Sequence, residues 1–346
     1  MFSYFNRSFL VLACFIFAAA FLYKNMGGFK NVVPPLNEAG TQLGSHNVNK
    51  SATVIHSDEM STYLNQSTAK ILNVFGKPSR KDPTPFGYEW WIYGEGSESY
   101  LQIGIANNRV VTIYALGKNL KTAPFAIGSS LPHSIKVSQT PTIQAKDVQV
   151  TFELQQDDLD TRPLVQVGSN WAELYIDQFT GKLTSIRYVT PQVLIEQRPF
   201  NMEYQGVLPK APSLTSKDWE DIDRAEEKEI WAISNVLRVR YKVQTLKWSP
   251  QAEKAAYLHS QEMDIKNYFS HDSKWQGNLT DRLKKQNINF QLAGENIAAH
   301  YEDGISATIG WLNSEEHRKN LLHPDFTELG PGVYHDYYTQ DFVRPF

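Results

Sequence analysis

Apolar and polar residues alternate along two stretches in the first half of the chain. Leu101, Ile103 and Ile105 interleave with Tyr100, Gln102 and Gly104. Val110-Val111-Thr112-Ile113-Tyr114 then follows Asn107-Asn108. A period of two marks a strand with one face in a core, and the Asn pair marks the turn of a hairpin. The pattern recurs further on. Trp171, Glu173 and Tyr175 interleave with Ala172, Leu174 and Ile176, Thr180-Gly181 turns, and Leu183-Thr184-Ser185-Ile186-Arg187-Tyr188 returns. A Gly-containing segment with an apolar start precedes each hairpin: Val74-Phe75-Gly76-Lys77-Pro78 and Phe125-Ala126-Ile127-Gly128. Residues 57–193 therefore read as a β-rich α+β domain of two hairpin-containing repeats, opened by a short helix.

The period changes in the second half. Ile230, Ile233 and Leu237 fall at helical spacing, as do Ala252, Ala255, Ala256, His259 and Met263, and then Ile305, Ile309 and Leu312. Ser249-Pro250 reads as an N-cap followed by proline at the first helical position. Gly332-Val333-Tyr334 and the run from Tyr337 to Val343 read as a final antiparallel pair. Helices with such a pair predict a second α+β domain over 222–346. Pro199, Pro209 and Pro212 mark a connector over 194–221.

The first 24 residues stand apart. Arg7 precedes an uncharged apolar run from Ser8 to Tyr23, closed by Lys24. We read 1–24 as a membrane anchor, with positive charge on the side that stays in the cytoplasm. The alternatives are a signal cleaved near Ala18-Ala19-Ala20 and a lipoprotein modified at Cys14. Residues 25–56, with Gly27-Gly28, Pro34-Pro35, His46 and His56, read as a flexible tether. The expected location is the cell membrane, single-pass, with the folded domains outside the cytoplasm; secretion after cleavage is the alternative.

Composition narrows the partners. Cys14 is the sole cysteine of 346 residues, so the folded part has no disulfide framework and no cysteine nucleophile. Export without disulfides fits a bacterial envelope. The net charge is −3 without a basic block, which argues against nucleic acid.

The chemistry concentrates near the C-terminus. Phe269-Ser270-His271-Asp272, Gly294-Glu295-Asn296-Ile297-Ala298-Ala299 and Trp311-Leu312-Asn313-Ser314-Glu315-Glu316-His317-Arg318 carry two imidazoles and a carboxylate. Such a set can hold a divalent metal with an open position, or move a proton. It can also simply join layers through hydrogen bonds. No H-E-x-x-H pair, Gly-x-Ser-x-Gly elbow or phosphate-cradling G-x-x-x-x-G-K occurs, which weighs against an enzyme. His259 sits on an apolar helical stripe and reads as a core histidine. His300 is a candidate for the rim and His323 for a solvent-facing or capping role. Trp90, Trp91, Tyr93 and Trp171 can serve as a sheet core or as a carbohydrate-stacking face.

Taken in order, these segments resemble the CAP (cysteine-rich secretory, antigen 5, pathogenesis-related 1) family, of the bacterial cysteine-free type. Asn235-Val236-Leu237-Arg238 with Leu246-Lys247-Trp248-Ser249 resembles its first-helix signature. Ala252 to Ala256, Phe269-Ser270-His271, Gly294-Glu295-Asn296-Ile297-Ala298, Trp311 to Ser314 with His317 to Leu322, and Tyr337-Tyr338-Thr339-Gln340 follow in the family's order. Residues 57–193 resemble the CAP-associated N-terminal domain of membrane-linked, Gram-positive members. The resemblance implies an α-β-α sandwich with a cleft lined by His271, Glu295 and His317. Its fourth position, often Glu, falls at Ser314 here, with Glu315 and Glu316 beside it. Asn296 belongs to the same cleft segment and is expected to bond backbone. The implied function is binding of lipid, cell-wall material or an envelope protein at the cell surface. The alternative is a hydrolase of cell-wall peptide or polysaccharide that uses Zn, Ca or Mg held by His271, Glu295 and His317.

Overall fold

The computed structural model describes residues 3–5 and 60–346. Of the anchor expected over 1–24, Ser3–Phe5 is described and pairs with a strand of the first domain, which does not fit an anchor running from residue 1; the apolar run from Ser8 and the tether lie outside the described residues. Among those described, no helix is long and apolar enough to cross a membrane.

The first domain contains β1 (Ser3–Phe5), a 3-10 turn at Met60–Tyr63, α1 (Thr68–Phe75), β2 (Arg80–Pro83), β3 (Glu89–Tyr93), β4 (Leu101–Ala106) and β5 (Arg109–Ala115). It continues through β6 (Thr142–Ala145), β7 (Val148–Glu153), α2 (Gln156–Thr161), β8 (Leu164–Val167), β9 (Asn170–Asp177) and β10 (Lys182–Val189). Both hairpins form where alternation predicted them. They join through their last strands, giving a seven-stranded sheet of order β2-β3-β4-β5-β10-β9-β8. The repeat is thus a pair of meanders, each preceded by a helix. The stretch expected to begin the connector adds α3 (Pro191–Gln197) and β11 (Asn201–Gly206). β11 lies between β1 and β7 in a four-stranded sheet, so this part of the chain belongs to the first domain.

Register decides what each face of the larger sheet carries. Leu101, Ile103, Ile113, Leu174 and Ile186 share one face and join the apolar core. Gln102, Tyr114, Arg187 and Glu173 lie in one row on the other face, with Tyr175 and Ser185 beside them. All six are buried, because the second domain packs over them.

That domain opens with α4 (Ser216–Arg240), whose start is fixed by a reciprocal bond pair between Thr215 and Asp218. It continues with β12 (Lys247–Trp248), α5 (Pro250–Lys266), α6 (Leu279–Lys285), β13 (Phe290–Ala299), α7 (Gly304–Leu312), α8 (Glu315–Leu321), β14 (Glu328–Tyr334) and β15 (Tyr337–Pro345). The sheet order is β12-β14-β15-β13, which leaves β13 at an edge. α5 packs on one face and α4 on the other. Close approach of α5 requires small residues. A Cβ at Gly330 would lie 2.0 Å from the backbone N of Glu253, and one at Gly332 2.0 Å from that of Tyr257. On the opposite face, buried carboxylates of α4 take backbone donors: Glu226 from Gly304, Glu227 from Val333 and Asp223 from His335.

The domains meet through charge as well as apolar packing. Arg187 donates to both oxygens of Asp303 at the start of α7, at 2.9 and 2.7 Å. Arg162 reaches Glu302 at 3.0 Å. Arg240 of α4 donates to the carbonyls of Thr184 and Leu116.

Candidate functional site

His271 and His317 approach the edge strand β13 from opposite faces of the sheet. Alternation along β13 arranges this. The Glu295 side chain points to the α5 face, where His271 lies in the loop after α5. Asn296 points to the α4 face and donates to the carbonyl of His317 on α8 at 3.0 Å.

Glu295 is buried and both of its oxygens are engaged. Oε1 accepts from His271 Nδ1 at 2.9 Å, and Oε2 accepts from Arg282 Nη2. Burial alone would raise its pKa. The charge of Arg282, followed by the bond from His271, overturns that and holds the carboxyl below the ordinary range. A carboxylate on Nδ1 keeps a proton on that nitrogen and orients the His271 ring, turning Nε2 away from Glu295. Arg282 is 1% exposed and also ties the loop, donating to the carbonyls of His271 at 2.8 Å and Gly277 at 3.1 Å. Ser273 closes the loop from within: it donates to Glu262 and accepts from the backbone of Trp275 and Gln276.

His317 is half-buried. Burial first, and the nearby His271 second, lower its pKa to about 4. It is therefore a neutral imidazole at physiological pH.

One buried acid escaped the sequence. Asp341 lies directly across from Glu295 in the β13–β15 register and is fully buried. Burial, then the charge of Glu295, pushes its carboxyl well above the ordinary range, with Arg282 opposing. It lies behind the ionised Glu295. Arg282 escaped too, because Asp281-Arg282-Leu283-Lys284-Lys285 looks like an ordinary charged helix surface.

The expected metal set needs correction. His271 meets Glu295 on one face of β13 and the His317 backbone meets Asn296 on the other, and both oxygens of Glu295 are already bonded within the protein. Among the described residues, no three His, Cys, Asp or Glu side chains converge as a metal-ligand set. The residues present do not fit a zinc, calcium or magnesium site.

The remaining candidates divide between cleft, scaffold and surface. Ser314 precedes α8 as a half-buried N-cap. Glu315 and Glu316 are exposed and pair with Lys319, so neither replaces the missing fourth carboxylate. Asn296 is fully buried, bonded to Gln340 and Asn320 besides the His317 carbonyl, and serves as scaffold. Trp311 is core, donating to the Ile297 carbonyl at 3.0 Å. His259 is core as well; its Nε2 meets the Ser270 carbonyl at 3.0 Å, and burial lowers its pKa to about 4. His300 is exposed and pairs with Asp336. His323 accepts from the backbone of Asp325. Trp90, Trp91, Tyr93 and Trp171 are all buried, so these four serve as sheet core and not as a carbohydrate-stacking face.

Comparison with known proteins agrees with this architecture. Residues 64–200 match the CAP-associated N-terminal family, and residues 232–344 match the cysteine-rich secretory protein family. An uncharacterised membrane protein of Bacillus subtilis, YlbC, is 41% identical over 286 residues, 82% of this chain and 83% of the relative. The crystal structure of an extracellular SCP-domain protein from Bacillus anthracis superposes with a TM-score of 0.80 at 38% identity, over 86% of this chain and 99% of that one. A cysteine-rich secretory protein from Staphylococcus aureus shares the fold, with a TM-score of 0.76 at 21% identity over 86% of this chain and 97% of that one. With both domains matched in order and a relative this similar across most of its length, the chain belongs to the cysteine-rich secretory protein (CAP) family, in the branch that carries the CAP-associated domain in front.

Proposed function

We propose that this protein binds a ligand of the cell envelope, lipid or cell-wall material, in the cleft between His271 and His317. It would act at the cell membrane, from a tether in the N-terminal segment. The commitment of both Glu295 oxygens to Arg282 and His271 carries this reading. It makes Glu295 an orienting group rather than a metal ligand, and leaves the two rings to contact the ligand. The loop that bears His271 also offers apolar surface. Phe269 is 41% exposed and Trp275 57%, which suits a partly apolar ligand. The tether rests on the apolar run from Ser8 to Tyr23 and on the relative named as a membrane protein.

Full-length protein would be co-sedimented with phosphatidylglycerol vesicles and, separately, with purified cell-wall sacculi. Binding to either, lost in His271→Ala/His317→Ala with the fold intact, is the expected result. Equal binding by wild type and variant, or none by the wild type, overturns the cleft as a ligand site. The competing metal-dependent hydrolase requires Glu295 to leave Arg282. It predicts saturable zinc, calcium or magnesium binding by calorimetry, removed by the same double substitution.

A further inference from the structure

We infer that the N-terminal domain positions His317, through a clamp that Asp177 closes on Arg318. This inference rests on the reading of the cleft as the binding site.

Asp177 ends β9 of the N-terminal domain and is 1% exposed. Arg318 follows His317 on α8 of the other domain. Its Nη1 and Nη2 meet the two oxygens of Asp177 at 3.1 and 3.1 Å, a bidentate pair that fixes direction as well as distance. Nη1 also donates to the Leu312 carbonyl at 2.9 Å, which ties α8 to the end of α7. The guanidinium lies against two rings, 4.7 Å from Tyr241 and 4.9 Å from Phe179. Tyr241 in turn donates to Asp177. The carboxylate is itself anchored by the backbone N–H of Phe179 at 3.0 Å and the hydroxyl of Thr180 at 2.8 Å.

A second grip lies beside the first. Asn313, between α7 and α8, donates to the Ile176 carbonyl at 2.8 Å and accepts from the backbone of Gln178 at 2.9 Å. The turn after β9 thus holds the α7–α8 junction at side chain and backbone together.

The size of α8 makes this grip matter. It has seven residues, too few to hold its shape or direction without tertiary contacts. Within its own domain it is fastened to β13 by Asn296 and Asn320. On its other side the fastening belongs to the N-terminal domain. His317 therefore stands between two supports, and one of them is the docked neighbour. The N-terminal domain becomes a working part of the cleft rather than a spacer.

The test follows the histidine ring protons of the full chain by NMR while pH is lowered, in wild type and in Asp177→Asn and Arg318→Lys. Wild-type His317 is expected to titrate near 4. Either variant is expected to raise that value by roughly one unit as α8 loosens and the ring gains solvent. The buried His259 should keep its low value, which shows that the fold survives. Unchanged His317 titration in both variants overturns the inference, and so does a parallel shift of His259, which would mean general loosening. The readout needs no ligand. A shifted His317 in a protein that binds neither vesicles nor sacculi would keep the clamp and remove the ligand reading.

Discussion

Glu295 faces inward on both oxygens, and that decides how its substitution will read out. Glu295→Gln leaves the Arg282 guanidinium buried beside a neutral amide. Removing one member of a buried pair costs about 3–5 kcal/mol, so urea unfolding should show a loss of that order. A carboxylate kept for catalysis alone would leave the midpoint nearly in place. Acid has its own signature in His259. Its folded pKa of about 4 lies below the usual 6.5, so between those values the unfolded chain takes a proton that the native one refuses. Stability is complete above pH 6.5 and falls as pH drops toward 4, by at most ~3 kcal/mol from this group. Unfolding midpoints at pH 7 and 5 check this, and His259→Gln should flatten the difference. His271, Glu295 and His317 were legible because each sits in a recognisable segment. Arg282 and Asp341 were not, since nothing in a linear pattern says which arginine of a charged helix turns inward, or which residue lies opposite Glu295.

At the scale of elements, the tightest constraint is the approach of α5 to β14. Gly330 and Gly332 face the backbone of the helix where Ala252 and Ala256 also keep it close. Gly332→Ala should push the two apart and cost about 1–3 kcal/mol, seen as a lowered melting temperature with the N-terminal sheet unaffected. Both hairpins and the helices α4, α5 and α7 were readable from periodicity, because each has a face in a core. The stretch after Val189 misled. Pro191 opens α3 at its first turn and Pro199 precedes β11, positions where proline suits regular structure as well as it suits a linker. Between Gln197 and Ser216 only residues 198–200 and 207–215 run without helix or strand.

For the whole molecule, the decisive surface is the mixed face of the larger sheet, where Gln102, Glu173 and Arg187 lie among Trp90, Ile92 and Trp171. Alternation showed that one face would be apolar; it could not show that Glu173, Tyr175 and Arg187 on the other would be covered by α4 and α7. Arg187 holds Asp303 across the boundary with Glu173 beside it. Arg187→Met would leave those acids buried without their cation and should cost about 3–5 kcal/mol. The wild type should unfold in urea as one transition by both fluorescence and circular dichroism. The variant should separate into two, the domains parting first.

That covered face also bears on how the molecule comes into being. Synthesis proceeds from the N-terminus, so the larger sheet is complete while α4 and α7 are still unmade. For that interval its docking side stands in water. A greasy side would adhere to other nascent chains, as exposed apolar surface does in half-folded proteins. Here Gln102, Arg187 and Glu173 interrupt the apolar side chains of Trp90, Ile92, Trp171 and Val189 on that side. The ions buried in the finished protein thus lessen the apolar surface that the unfinished one exposes.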